Sequence, residues 1–196
     1  MKLLQFLAVC CCILGAAARA ETPPTIIVSI PDQKLALVEN GSAVAEFAIS
    51  TSKFGVGDRP GSYATPLGLL EVASKIGANA PVGAVFKSRR TTGEVLAPNA
   101  RGRDPIVTRI IWLRGLERQN ARAYDRGIYI HGTPVEHLIG RPASYGCIRM
   151  RSRDVVNLFA SVNIGTKIAV LNRHLRDAIS QVSGTGRFRG FAVAAN

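Results

Sequence analysis

The alternation of apolar and polar residues predicts that most of this chain forms short β-strands. Runs of this kind are bounded by glycine, proline and asparagine, as strands usually are. Asn40-Gly41 is the dipeptide typical of a two-residue hairpin loop, so the first three runs should form a β-meander. The predicted strands cover residues 25–30, 34–39, 43–50, 69–73, 84–87, 106–113 and 167–171.

Helical spacing of apolar residues occurs only late in the chain. Ser152 or Asp154 is a candidate N-cap for a helix that ends before Gly165. Its apolar residues are Val155, Val156, Leu158, Phe159 and Val162. A second short helix is marked by Leu175, Ile179 and Val182. The predicted fold class is therefore mainly β, a sandwich or meander of short strands with one or two short helices late in the chain.

The amino terminus has the pattern of a secretory signal peptide over residues 1–20. Lys2 precedes an apolar run, which ends in the small-x-small sequence Ala18-Arg19-Ala20. The run is shorter than the roughly 20 residues that span a bilayer. We expect cleavage after Ala20, export to the periplasm and no stable membrane insertion afterwards. Lipidation of Cys10 is not expected, because the preceding Val9 is too bulky for a lipoprotein signal.

Cys147 is the one cysteine expected in the mature protein. The other three of the four cysteines lie within the signal peptide. A single thiol in an exported protein has no internal disulfide partner, so it is either reactive or buried.

The chain is strongly basic, with a formal net charge of +12. This charge favours an anionic partner, such as the peptide carboxylates of a cell wall, and a surplus spread over the surface is equally compatible. An exported protein is not expected to bind nucleic acid. Some of the charge lies in a weakly patterned segment, where we expect a solvated rim rather than a substrate contact. The arginines there are Arg89, Arg90, Arg101 and Arg103.

The stretch from residue 129 to residue 150 contains the candidate chemistry. Residues 128–131 alternate so that His131 lies opposite two isoleucines. Residues 147–150 alternate in the same way, with Cys147 and Arg149 on the polar face. If both apolar faces enter one core, an imidazole, a thiol and a guanidinium share the other side.

These residue types suit nucleophilic catalysis. A thiol needs a base or a cation nearby, and a histidine within reach takes its proton and returns one to a leaving amine. We therefore expect Cys147 to be a thiolate of low pKa, stabilised by His131 and Arg149. Arg149 also offers a planar fork for a substrate carboxylate. An isolated pair of this kind is more often structural, and a zinc site with His137 lacks the usual ligand spacing.

The sequence His131-Gly132-Thr133, followed by Gly140 and the heptapeptide SYGCIRM at residues 144–150, resembles the active-site motif of the L,D-transpeptidase catalytic-domain family, of the YkuD type. The resemblance covers roughly residues 25–171 and includes Thr65-Pro66-Leu67-Gly68. One departure is Tyr145, where many members carry histidine.

The resemblance implies a β-sandwich domain that transfers acyl groups on peptidoglycan stem peptides. Cys147 would attack the carbonyl of the third stem residue, and an amine of another stem would resolve the thioester. His131 would be base and then acid, with its ring oriented by the Gly132 carbonyl. The oxyanion would be held by Gly146 and Cys147, with Tyr145 as a further donor. Ser144 and Arg149 would contact substrate, Ser144 also shaping the turn, and no cofactor or metal is implied.

We expect residues 21–172 to form the catalytic domain, residues 173–196 a carboxy-terminal helix and flexible tail, and the protein to be a monomer. The nearest alternative is a carboxypeptidase or amide hydrolase on the same scaffold, with water as acceptor. A sortase also uses His, Cys and Arg, but there the thiol and the arginine lie on different strands. A non-catalytic wall-binding protein would not need the intact motif.

Overall fold

The computed structural model describes residues 25–185. The expected signal peptide and the end of the tail lie outside the described residues. The strands are β1 Thr25–Ser29, β2 Lys34–Glu39, β3 Ser42–Ser50, β4 Gly68–Ile76, β5 Ala84–Lys87, β6 Arg90–Val95, β7 Ile106–Gly115, β8 Tyr129–Gly132, β9 Ile148–Met150 and β10 Lys167–Leu171. The helices are α1 Ser152–Ser161 and α2 Leu175–Thr185, with 3-10 turns at Arg118–Asn120 and Glu136–Leu138.

The strands of this part of the chain form one sheet that closes on itself. Their order is β4-β10-β1-β2-β3-β9-β8-β7-β5-β6, and β4 also pairs with β7. The β5–β6 hairpin branches from the early part of β7, because β7 pairs with β5 at Ile106 and Val107 and with β4 from Ile110 onward. The fold is mainly β with two late helices, as the sequence predicts.

The predicted meander is confirmed at the start of the chain. β1, β2 and β3 pair antiparallel in sequence, and Asn40 and Gly41 have φ of 49° and 79°. Both angles are positive, as the two central residues of a type I′ hairpin turn require. The strand predicted at residues 167–171 is also confirmed, and it lies inside the sheet between β1 and β4.

The main core lies inside the closed sheet and beneath α1. Val155 and Leu158 of α1 pack there with Ile130 of β8 and Ile148 of β9. α2 covers the opposite surface of β1 and β2, where Leu175 and Ala178 pack against Ile27. Within the described residues, no helix combines the length and the apolar character needed to cross a bilayer.

Two local expectations are wrong. Residues Arg90–Val95 form strand β6, although no strand was predicted there. The turn before this strand gives no sequence signal, because Ser88 and Arg89 adopt positive φ in place of the usual glycine. The first helix is not capped by Ser152 or Asp154, since its N-cap is Arg151, whose own side chain makes no capping hydrogen bond. Instead, the carboxylate of Glu136 accepts the backbone N–H of Ser152 at 2.8 Å.

A bulge in β7 lies directly against the candidate site. Val107 pairs with Gly132 and Ile110 with His131, so Thr108 and Arg109 have no partner in β8. Thr108 has φ of 72°, which is unusual for a β-branched residue. Its buried hydroxyl accepts the N–H of Gly83 at 2.9 Å and donates to Ser152 at 2.8 Å. These contacts hold a strained residue beside the strand that carries His131.

Gly132 allows the close approach of β7 to β8. A Cβ at this position would lie 2.7 Å from the Val107 carbonyl oxygen and 3.1 Å from Cβ of Thr108. We expect Gly132→Ala to lower the free energy of unfolding by roughly 2–3 kcal/mol, because backbone must move to make room. Denaturant unfolding checks this.

The matched control for that prediction is Gly93→Ala. Gly93 has φ of 87° but no atom within 4 Å of its Cβ position, so only backbone strain is added, roughly 1–2 kcal/mol. A loss for Gly132→Ala no larger than the loss for the control would contradict the crowding argument.

Candidate active site

The parallel pairing of β8 with β9 brings the motif together. His131 is the register partner of Arg149, and Cys147 immediately precedes β9. Ile130 and Ile148 enter the main core, whereas Tyr129 and Cys147 belong to a separate apolar cluster on the other side of the strands. The predicted division of the two strands into a core face and a polar face is therefore confirmed.

His131 is buried, and its tautomer is determined by the backbone. Nδ1 lies 2.8 Å from the carbonyl oxygen of Gly132, and because a carbonyl only accepts, Nδ1 carries the proton. Nε2 is then free to act as a base. Burial lowers the pKa of His131 from 6.5 to about 4, against a smaller raising effect of the Gly132 carbonyl. The imidazole is thus neutral at physiological pH.

Cys147 is half-buried and is a thiol rather than a thiolate. Sγ donates to the carbonyl oxygen of Gly127 at 3.4 Å. Burial raises the pKa of Cys147 from 9.0 to about 11, although the backbone of Tyr129 and the charges of Arg149 and Arg126 oppose this rise. The expected low-pKa thiolate is therefore wrong for the resting protein. Desolvation is the largest effect on this pKa, and it outweighs the opposing charges of the two cations.

Arg149 has a partner that the sequence does not reveal. Its Nη2 lies 2.7 Å from Oδ2 of Asp104, and the two side chains are 9% and 24% exposed. The other carboxylate oxygen of Asp104 accepts the hydroxyl of Thr133 at 2.6 Å. One nitrogen of the guanidinium that was expected to receive a substrate carboxylate is therefore paired with an internal carboxylate. Asp104 lies in the loop before β7, where neither spacing nor periodicity marks it.

Arg126 is a second paired cation near the thiol that sequence reasoning missed. It contacts Asp58 at 2.6 Å, and the side chains of this pair are 11% and 6% exposed. Arg126 also donates to the carbonyl of Ala64 at 2.7 Å. These contacts attach the loop after β3 to the segment before β8. The arginine therefore supports the wall of the site and adds positive charge near Cys147.

The turn before Cys147 depends on Ser144 and Gly146. The Ser144 hydroxyl donates to the carbonyl of Cys147 at 2.5 Å and accepts the N–H of Gly146 at 3.2 Å. Ser144 is 1% exposed, so its placement supports turn formation and not the expected substrate contact. Gly146 has φ of 116°, and a Cβ would lie 3.3 Å from the Ala64 carbonyl. Its expected oxyanion N–H is occupied in the resting turn.

The remaining backbone donors of the turn are available. Among the bonds within residues 25–185, the N–H groups of Tyr145 and Cys147 have no acceptor. The Tyr145 ring points away to the surface, where it is 55% exposed and contacts Phe54 and Tyr63 at centroid distances of 5.4 and 5.9 Å. Tyr145 therefore reaches the thiol only through its backbone.

His137 lies apart from the site. It is exposed on the turn after β8, and its Nδ1 lies 3.0 Å from the side-chain oxygen of Asn99. In the described part of the chain, no three residues of the His, Cys, Asp and Glu types form a cluster that could hold a metal ion.

Comparisons with known proteins agree on one family. Residues 23–170 match the family model described as L,D-transpeptidase catalytic domain. A 52-residue segment is 42% identical to YqjB of Bacillus subtilis, named a putative L,D-transpeptidase, and covers 26% of this chain and 30% of that protein. A 51-residue segment is 41% identical to YcfS of Escherichia coli, named a probable L,D-transpeptidase, and covers 26% of this chain and 16% of that protein.

A solved structure shares the fold. The crystal structure of residues 123–326 of the L,D-transpeptidase from Xylanimonas cellulosilytica superposes with a TM-score of 0.51 at 20% identity. The superposition covers 78% of this chain and 62% of that one. The matched segments thus span under a third of the curated relatives and less than two thirds of the solved chain.

The raised thiol pKa predicts the reactivity of Cys147 toward an alkylating agent. In the folded protein the rate should stay low at neutral pH and still be rising at about pH 10, because the thiolate forms only as the pH approaches about 11. The rate is followed by mass spectrometry of the peptide that contains Cys147. In the unfolded protein the same rate should level off near the ordinary thiol pKa. An inflection in the folded protein below that of the unfolded protein would contradict the prediction.

The ion pair of Arg149 with Asp104 predicts two effects of Asp104→Asn. Leaving a buried guanidinium unpaired should lower the free energy of unfolding by roughly 1–3 kcal/mol. The released positive charge should also shift the alkylation profile of Cys147 to lower pH. The control is Glu94→Gln, which breaks the exposed pair of Glu94 with Arg103 and should change neither quantity measurably. Equal effects of both substitutions would show that the ion pair has no special role.

Proposed function

Because the chain belongs to the L,D-transpeptidase catalytic-domain family, we propose that it is a peptidoglycan L,D-transpeptidase that works through an acyl-enzyme on Cys147. The observation that carries the proposal is the position of His131. Its proton lies on Nδ1, its Nε2 is free, and it shares a face of two adjacent parallel strands with the thiol. A base of fixed tautomer beside a lone thiol is the arrangement that acyl transfer requires.

The reaction starts from a neutral pair. Nε2 of His131 accepts the Sγ proton while sulphur attacks the carbonyl carbon of the third stem residue. The tetrahedral oxyanion is held by the free N–H groups of Cys147 and Tyr145. The imidazolium then returns the proton to the amine of the terminal D-residue, the C–N bond breaks, and a thioester remains on Cys147.

The second half runs in the opposite direction. The amine of a neighbouring stem attacks the thioester carbonyl and gives a proton to Nε2 of His131. The C–S bond breaks, and the imidazolium returns that proton to sulphur. The low pKa of His131 keeps the imidazole unprotonated between the two half-reactions, so Nε2 can accept a proton from each attacking amine.

Arg149 and Asp104 act as a fixed pair in this scheme. Paired with an internal carboxylate, Arg149 orients the start of β9 and lowers the pKa of the adjacent thiol rather than binding substrate directly. We propose further that the enzyme acts outside the cytoplasmic membrane as a monomer on cell-wall stem peptides. Hydrolysis by the same thioester, with water as acceptor, is the second candidate function.

The test is incubation of the enzyme with tetrapeptide muropeptides, followed by mass spectrometry of protein and products. We expect an adduct on Cys147 with the mass of a tripeptide stem, and cross-linked products. His131→Ala should lower turnover by roughly 10²–10⁴-fold at saturating substrate. His137→Ala, which removes the exposed histidine, should leave turnover unchanged.

Two outcomes would decide against this reaction. Tripeptide products without cross-links would assign the site to hydrolysis. Turnover that survives Cys147→Ala, or the absence of any adduct on Cys147, would reject the thioester.

A further inference from the structure

Arg89 occupies a well-defined position at the tip of the β5–β6 hairpin. Ser88 and Arg89 have φ of 49° and 66°, so the chain turns tightly and directs the arginine back over β7. Its guanidinium carbon lies 4.7 Å from the ring centre of Trp112. Its Nη1 donates to the hydroxyl of Tyr129 at 3.4 Å. A guanidinium held over an aromatic face is oriented before any ligand arrives.

The aromatic support beneath Arg89 is itself fixed. Trp112 stacks on Tyr124 with centroids 4.1 Å apart and meets Tyr129 edge-on at 5.6 Å. The indole Nε1 donates to the carbonyl of Tyr124 at 3.1 Å. Arg89, Trp112 and Tyr129 therefore form a preorganised group, which we call the Arg89 group.

The Arg89 group lies on the same side of the sheet as the thiol. Trp112 and Cys147 both pack on the small apolar cluster that contains Tyr129. The Tyr129 hydroxyl would lie 3.0 Å from a Cβ on Gly127, and the Gly127 carbonyl is the acceptor of the Cys147 thiol. Consecutive contacts thus connect the guanidinium to the nucleophile.

Arg89 differs from the two arginines whose charges act on the thiol, because those two are paired with carboxylates. Arg149 is paired with Asp104 and Arg126 with Asp58. Among the ion pairs within residues 25–185, none involves Arg89. Its exposed guanidinium is oriented by rings that supply no negative charge, so its charge-assisted donors remain available to a ligand.

We propose that the Arg89 group binds a carboxylate of the donor peptide while Cys147 is acylated. This inference rests on the proposed function and reassigns the carboxylate contact that the sequence suggested for Arg149. A cleft of about 510 Å³, lined in part by Arg89 and Phe86, lies along the hairpin and has room for a short peptide. Ala84 and Phe86, which line the cleft, belong to the same apolar cluster as Cys147, so a peptide in the cleft lies on the side of the sheet that carries the thiol.

The first experiment measures binding without catalysis. Donor tetrapeptide is titrated by calorimetry into Cys147→Ala and into the same protein carrying Arg89→Ala or Arg90→Ala. Losing a charge-assisted contact should weaken binding roughly 10- to 100-fold in the Arg89 variant. Arg90, the exposed neighbour on β6, is the matched control, and its removal should leave the affinity unchanged.

The second experiment identifies which carboxylate is bound. One donor has its carboxy-terminal carboxylate converted to an amide, and another has its side-chain carboxylates amidated. The amide that replaces the bound carboxylate should weaken binding as much as Arg89→Ala, with no further loss when both changes are combined. Arg89→Lys should restore only part of the affinity, because an ammonium cannot reproduce the fork.

Turnover separates the failure of this inference from failure of the proposed function. With Cys147 intact, Arg89→Ala should raise KM and leave kcat nearly unchanged. The subsite would be overturned if the Arg89 and Arg90 variants bound the donor equally, or if no donor bound at all. It would also be overturned if, for each amidated donor, the loss of affinity added to the loss caused by Arg89→Ala. An acyl-enzyme absent from the unsubstituted protein, with binding still dependent on Arg89, would reject only the transpeptidase chemistry.

Discussion

The parallel ladder between β8 and β9 is the constraint on which the rest of the site depends. Parallel register places His131 beside Arg149 and Cys147 at the start of β9, where its backbone N–H has no acceptor within residues 25–185. Because side chains alternate along a strand, the same ladder sends Ile130 and Ile148 into the main core. Displacing the register by one residue would exchange the core face and the site face, so burial of these apolar side chains also keeps His131 and Cys147 aligned.

Two ion pairs determine the charge near this ladder and its thiol. Asp104 neutralises Arg149, and Asp58 neutralises Arg126, so two cations lie near the thiol without leaving an unpaired buried charge. The result is a site at rest as thiol and neutral imidazole. A neutral thiol and imidazole suit a reaction in which proton transfer occurs together with the attack of sulphur, because neither group carries a charge that must first be separated from a counter-ion. We therefore propose Arg89, which lies outside these two pairs, as the contact for the substrate carboxylate.

Sequence reasoning yielded candidates at residue types that have few chemical uses. The candidate nucleophile, base and turn came from the one cysteine outside the expected signal peptide, a histidine on the adjacent strand and a glycine-flanked turn. Gly132 was expected to orient the imidazole, and its carbonyl does contact Nδ1 of His131. Sequence reasoning failed where the partner lies far along the chain. Asp104 carries no periodic signal, and the Ser88-Arg89 turn lacks glycine, so neither the ion pair nor strand β6 was expected.

The amino-acid sequence by itself determined the alternation of strands, the two faces of the site and the chemical types present, because these depend on local spacing. Only the tertiary structure decided how the charges are used. Burial raises the pKa of Cys147, and the residues that bury the thiol come together only in the fold. Asp104 and Asp58 likewise pair with Arg149 and Arg126 only across the fold. Charge and solvation depend on distances in space, which strand spacing does not encode.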